Sequence, residues 1–151
     1  MISVSVVIPA KNEEDNISRL VDEIHAALDG RFDYEIIYIN DGSADRTLDE
    51  IHRLQEEDPN LKVWTHQSSA GQSRAMHHGI LLAKYPIIAT LDADGQNDPA
   101  DIPAMVEQLV GLNSPGPIEA SGAYISPSIF DTPGQKTALI AGFRKNAMTH
   151  G

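Results

Sequence analysis

Residues 86–95 read PIIATLDADG. Pro86 to Leu91 is an apolar, β-branched run of the kind that forms a strand covered on both faces. It stops at Asp92-Ala93-Asp94, and Gly95 then lets the backbone turn sharply enough for both carboxylates to face one ligand. Moving outward, the same alternation of apolar runs and helical periodicity recurs. Val4 to Ile8 is a first strand ended by Pro9, followed by Ile17, Leu20, Val21, Ile24, Ala27 and Leu28 at three- and four-residue steps. That spacing predicts an amphipathic helix with Asn12 as its N-cap and Gly30 as its stop. Tyr34 to Ile39 predicts a second strand, and Leu48, Ile51 and Leu54 a second helix ending before Asp58-Pro59. Leu61 to Thr65 predicts a third strand, and SSAG at 68–71 leads into a helix from about Gln72 to Lys84. Beyond the opening stretch, Asp101 is expected to cap a helix with Pro103 in its first turn, running to about Val110.

Strands alternating with helices imply a mostly parallel α/β sheet with right-handed crossovers and helices on both faces. In such sheets ligands sit at the carboxyl ends of the strands. The texture changes over residues 111–136, which are rich in Gly and Pro and read as a loop or insertion. Thr137 to Gly142 predicts a fifth strand before a short tail to Gly151. The whole of 1–151 is expected to form one domain with its core in residues 3–110.

Composition narrows the function. The 151 residues carry 22 acidic against 11 basic side chains, a formal charge of −11, which disfavours a nucleic-acid partner that needs a basic surface. The acidity is uneven: residues 1–60 hold 15 acidic and 5 basic groups, residues 61–110 hold 5 and 3, and residues 111–151 hold 2 and 3. No cysteine is present, which removes disulfides, thiolate metal sites and a Cys nucleophile and fits a cytoplasmic, reducing compartment. The longest apolar run, Gly79 to Leu91, is broken by Lys84 and Pro86 and falls short of the roughly 20 residues of a membrane span.

The chemistry-bearing residues lie just after the predicted strands: Pro9-Ala10-Lys11-Asn12-Glu13, then Asn40-Asp41-Gly42-Ser43, then Asp92-Ala93-Asp94-Gly95-Gln96. With 13 Asp in the chain, about one Asp-x-Asp arises by chance, so position rather than pattern recommends Asp92 and Asp94. Two hard oxygen donors suit Mg²⁺ or Mn²⁺, completed by diphosphate oxygens and water. Asp41 has two readings, an Asx-turn or cap for the second helix, or an acceptor for a base or ribose. Glu13 is equally open, because an acid is favoured in a first helical turn in any case. Gly71, Ala75 and Gly79, four residues apart, indicate close helix–sheet packing. His77 and His78 are adjacent and diverge on a helix, and no His-x-x-x-His occurs, so the histidines do not suggest zinc.

Taken in order, VVIPAKNEEDNI, YEIIYINDGSADRT, SSAGQSRAMHHG and ATLDADGQNDPADIP resemble the inverting family 2 glycosyltransferases, and among them the polyprenol-phosphate sugar transferases of the dolichol-phosphate mannosyltransferase type. LIAGFR at 139–144 resembles a further family motif. The resemblance implies a GT-A fold, a Rossmann-like nucleotide-diphospho-sugar transferase sheet. It also implies a nucleotide-sugar donor such as GDP-mannose or a UDP-hexose, Mg²⁺ or Mn²⁺, and a polyprenyl-phosphate acceptor at a membrane surface. Carried over residue by residue, Pro9, Lys11 and Glu13 fall where the family grips the base, with Lys11 at a position that is often Tyr. Ile39 and Asp41 fall on base and ribose contacts, Asp92, Ala93 and Asp94 on the metal and diphosphate motif, Gln96 on a further metal-side oxygen, and Arg144 on a phosphate contact. The implied chemistry is direct displacement at the anomeric carbon with the nucleotide diphosphate leaving. Because family members continue through an acceptor-binding half, the resemblance also implies a C-terminally truncated chain. A sugar-nucleotide pyrophosphorylase and a non-catalytic nucleotide-binding remnant are the alternatives.

Overall fold

The computed structural model describes residues 1–95, 97–112, 116–118, 123–126 and 137–140. In chain order the strands are β1 (Ser3–Ala10), β2 (Asp33–Asp41), β3 (Leu61–His66), β4 (Ile87–Thr90), β5 (Gly116–Ile118), β6 (Ala123–Ser126) and β7 (Thr137–Ile140). The helices are α1 (Ile17–Leu28), α2 (Thr47–Gln55), α3 (Gln72–Leu82) and α4 (Ile102–Leu112). One sheet takes all seven strands in the order β3-β2-β1-β4-β7-β6-β5. The first five are mutually parallel, whereas β6 runs antiparallel to β7 and β5 antiparallel to β6.

The chain builds outward from β1 through β2 to β3 and then returns to lay β4 on the other side of β1. Strand order therefore reverses between β1 and β4, and at such a reversal the loops leaving the two strands turn opposite ways and open a crevice. Burial follows the two faces of the sheet. On one face Val4, Val6, Ile8, Ile36 and Tyr38 pack with Ile17, Leu20 and Ile24 of α1 and Ile102, Met105 and Val106 of α4. On the other face Val7, Ile37, Ile39 and Ile88 pack under Ala75, Ile80 and Ala83. Each buried Val, Leu, Ile or Met side chain among these contributes roughly 1.5–3 kcal/mol of hydrophobic stabilisation.

A buried polar tie holds the end of the sheet opposite the crevice. Glu35, 2% exposed, accepts from Lys62 Nζ at 2.7 Å and from the Lys84 backbone N–H at 2.7 Å, and also bonds Ser5 Oγ. Burial pushes the Glu35 carboxyl up, but the bonds from Lys62, Ser5 and Lys84 outweigh it and leave the group below its ordinary value.

Several element ends differ from the sequence reading. Asn12 does not cap α1, which begins after Asn16; it sits at φ +55° and its Oδ1 accepts from the Ala44 N–H at 2.8 Å. A contact 32 residues away has taken the place of a local cap. Asp101 is likewise not a cap, because a single 3₁₀ turn, Pro99–Asp101, precedes α4 and Asp98 accepts the Ala100 N–H instead. α3 stops at Leu82 rather than Lys84, since Ala83 turns extended and the Lys84 N–H is given to Glu35. Residues 111–136 are not loop throughout: α4 runs on to Leu112, and β5 and β6 lie inside the segment. β7 matches the expected fifth strand over Thr137–Ile140; the remainder of that expected strand lies outside the described residues.

Candidate active site

The crevice at the strand reversal is a cleft of about 390 Å³. Pro9, Ala10 and Lys11 line it from the end of β1, Asp41 from the end of β2, and Asp92, Ala93 and Asp94 from the segment after β4. Glu13 closes one side, and Ser69, Gly71 and Gln72 at the start of α3 close another.

The loop after β1 is clasped to the loop after β2. Besides the Asn12–Ala44 bond, the Asn12 N–H donates to Ser43 Oγ at 3.0 Å and the Glu13 N–H to Thr47 Oγ1 at 2.8 Å. Glu13 Oε2 in turn accepts from Asn16 Nδ2 at 2.8 Å, so its side chain is held along its own loop.

Asp41 organises the third wall. Its Oδ1 accepts from His66 Nδ1 at 2.9 Å and the Ala70 N–H at 2.8 Å, and its Oδ2 from Ser69 Oγ and the Gly71 N–H, both at 3.0 Å. Burial raises this carboxyl, which is 3% exposed, but these four bonds prevail and bring it to about 2. The connection between β3 and α3 is thus wrapped around an anion. Gly42 makes the wrapping possible: it has φ +68°, and a Cβ there would lie 2.6 Å from the Ser69 backbone nitrogen. Lys11 Nζ reaches the same serine, at 3.2 Å from Ser69 Oγ.

The fourth wall carries the paired carboxylates. Asn97, fully buried, accepts the Asp92 N–H through Oδ1, and Gln72 Nε2 donates to Asp92 Oδ1 at 2.8 Å. Gly95 turns at φ +80°, a backbone conformation that favours glycine, beside the flexible end of the Arg19 side chain. Asp94 stands exposed at the mouth. Four carboxylates (Glu13, Asp41, Asp92, Asp94) against one ammonium (Lys11) leave the lining at a formal −3.

Of the residues singled out from sequence, Pro9, Lys11, Glu13, Asp41, Asp92, Ala93 and Asp94 all line this cleft. Ile39 does not: it is fully buried in the core under α3, within 3.1 Å of where a Cβ on Gly79 would stand. Ile37, Ile39 and Asp41 share one face of β2, and Ile39 lies two residues deeper than Asp41, where α3 covers it. Gln96 and Arg144 lie outside the described residues. Asp41 does not cap α2, which begins after Arg46: its carboxylate instead takes donors from the end of β3 and the loop before α3, while the residue lines the cleft. The sequence assigns no site role to Ser69, Gln72, His66 or Asn97, and it reads Gly71 only as part of a packing stripe, whereas Gly71 sits at φ +99° in the cleft wall with open space where a Cβ would be. SSAGQSR carried the only available signal for Ser69, Gly71 and Gln72, and its small residues read as packing; for Ala75 and Gly79 that is what they do.

With this geometry in place, comparison with known proteins identifies the class. Residues 5–116 match the model of Glycosyl transferase family 2, and the chain belongs to that family. Among curated relatives, the dodecaprenyl-phosphate galacturonate synthase of Rhizobium johnstonii is 39% identical over 110 residues, covering 72% of this chain and 32% of the relative. The dolichol-phosphate mannosyltransferase of Pyrococcus furiosus is 35% identical over 108 residues, covering 72% and 30%. The chain therefore spans about a third of the length of the curated relatives it matches. Among solved structures, the mannosyltransferase PcManGT from Pyrobaculum calidifontis, in complex with GDP-Man and Mn²⁺, superposes with a TM-score of 0.58 at 25% identity, over 65% of this chain and 29% of that one. Glucosyl-3-phosphoglycerate synthase from Mycobacterium tuberculosis, in complex with UDP, shares the fold at a TM-score of 0.61 and 24% identity, over 74% and 41%. The GT-A architecture expected from the sequence motifs is the architecture observed.

Proposed function

We propose that this chain is the donor-binding part of a glycosyltransferase that moves a sugar from a nucleotide-sugar to a polyprenyl phosphate, by inverting displacement assisted by Mg²⁺ or Mn²⁺. The observation that carries the reading is the convergence of Lys11, the Asp41-anchored loop and the Asp92-Ala93-Asp94 segment on one cleft at the strand reversal. The names of the relatives supply the acceptor class, and a neighbour solved with GDP-Man and Mn²⁺ supports the donor class and the metal.

The electrostatics of the cleft favour a divalent cation. A nucleotide diphosphate is an anion, and a lining at formal −3 repels it unless a cation intervenes. Asp92 and Asp94 offer hard oxygens on one wall, and among the described residues no third His, Cys, Asp or Glu joins them. Two protein ligands with the rest drawn from substrate and water is the mode Mg²⁺ favours. When bound, the ion would neutralise charge building on the departing diphosphate. The chain's own residues do the rest: Gln72 and Asn97 hold Asp92 in place, Lys11 supplies a monovalent charge at the cleft, and the Ser69–Gln72 wall fixes its shape. A lipid phosphate acceptor is already anionic near neutrality, so no protein base is assigned.

Calorimetric titration with GDP-mannose, UDP-glucose and the parent nucleotides, with and without Mn²⁺, tests the proposal. Metal-dependent binding to at least one of them is expected, with Asp94→Ala weakening it at least about tenfold, a loss of roughly 1.4 kcal/mol. Binding that ignores both the metal and Asp94→Ala would sink the assignment.

A further inference from the structure

Two histidines with no part in the proposed transfer stand directly behind the cleft wall. His66 ends β3 and gives Nδ1 to Asp41 at 2.9 Å, while its Nε2 lies 2.8 Å from Nδ1 of His78 on α3. The two rings are inclined by only 4° with centroids 5.1 Å apart. With the nitrogens at 2.8 Å, that geometry sets them head-on in nearly one plane, along the lone-pair direction of an N–H···N bond. Trp64 holds the other side of His78 edge-on, with centroids 5.5 Å apart. His66 and His78 are both partly buried.

Proton counting fixes the states available to this chain of groups. Asp41 accepts from His66, so His66 Nδ1 carries a hydrogen. Only one hydrogen fits between His66 Nε2 and His78 Nδ1. In the neutral pair His78 Nδ1–H donates to His66 Nε2. One added proton enters at His78 Nε2 while the bridging hydrogen passes from His78 Nδ1 to His66 Nε2, which leaves His66 an imidazolium that donates to both Asp41 and His78. A second added proton sets N–H against N–H, and the contact must open. The basic groups around His78 add to that penalty, and the Asp41 carboxylate on the far side of His66 opposes it. His66 faces it from β3, His77 adjoins it on α3, and Arg74, one turn earlier, lines the same surface groove. Burial first, then His66 and His77, hold His78 below its ordinary value of 6.5.

We propose that Asp41, His66 and His78 form a proton-sensitive strut that positions the Ser69–Gln72 wall of the donor cleft, so that donor binding weakens when the imidazole pair takes up its second proton. His66 and His78 are positioning residues in this arrangement and act through Asp41. The link to binding rests on the donor-site reading above; the strut itself does not. The sign follows from the depressed His78. An unfolded or detached imidazole takes the proton more readily, so the closed arrangement is fully favoured above pH 6.5 and loses ground as pH falls below it.

The test compares wild type, His78→Gln and His78→Phe by calorimetry with GDP and Mn²⁺ between pH 5.5 and 7.5, beside NMR of the unliganded proteins. Gln has no proton to gain, and Phe keeps a ring against Trp64. Wild type is expected to bind at least about threefold more weakly at pH 5.5 than at 7.5, beyond any change shared with both variants, because a second protonation can shift binding by up to about tenfold per pH unit. Imidazole nitrogen spectra are expected to show His66 hydrogenated on Nδ1, and the Ser69–Gly71 amide signals to move with the second proton in wild type alone. Coincident pH profiles for the three proteins, or histidines that titrate independently with the amide signals unmoved, would overturn the strut. If no nucleotide binds at any pH, the donor-site reading fails, while the imidazole and amide spectra still decide whether the strut exists.

Discussion

Asp41 is where one side chain determines the most structure. Four donors converge on it from a strand end and from the loop before α3, and a neutral amide could not accept all four. Asp41→Asn is therefore expected to destabilise the fold by about 2 kcal/mol at pH 7, from the interval between the ordinary 3.8 and about 2. Because the folded-state value is depressed, this stabilisation is complete above the ordinary value and is lost as pH falls from 3.8 towards 2. Urea unfolding of both proteins between pH 3 and 7 checks it: the gap should hold from pH 7 to about 5 and narrow below 4. A constant gap across that range would show that the charge of Asp41 is not what matters. The chemistry of this residue was legible as an acid at a strand end; its partners were not. They lie 25 to 30 residues away and meet it only once β2 and β3 pair in register.

At the scale of elements, the sequence reads best where burial is simplest. β1, β2 and β4 are apolar runs, and their existence and position along the chain follow from the residue pattern alone. Element ends were less legible, because Asn12 and Asp101 both look like caps and tertiary contacts settle which group caps what. The seat of α3 on the sheet depends on one missing side chain. A Cβ on Gly79 would lie 2.4 Å from Val7 Cγ1 and 3.1 Å from Ile39 Cγ1. Gly79→Ala is thus expected to cost about 1–3 kcal/mol despite its better helix propensity, with overpacking outweighing the roughly 1 kcal/mol gained from propensity. Val7→Ala in the same molecule should recover part of the loss relative to its own single variant. Thermal melts of the double-mutant cycle decide this, and strict additivity would count against a direct clash.

At the scale of the whole molecule, charge is segregated. Residues 59–91, which include β3 and α3, contain no acidic residue, although the chain has 22. The acids gather in the loops after β1 and β2 and on α1 and α2. That surplus repels itself, so raising NaCl from about 20 to 200 mM is expected to raise the melting temperature by a few degrees through screening. A fall would mean that surface ion pairs such as Arg53–Glu50 and Arg31–Glu107 outweigh the net charge. Among the described residues no helix is long and apolar enough to cross a membrane.

By itself the sequence determined the α/β class, the parallel core, the family and the acidic strand ends, because apolar periodicity and residue chemistry are local properties. Only the tertiary structure decided that strand order reverses between β1 and β4, that Ile39 turns into the core, and that His66 and Asn97 stand behind the cleft. Those outcomes depend on which strands pair and in what register, and pairing joins residues whose separation along the chain carries no mark of their contact.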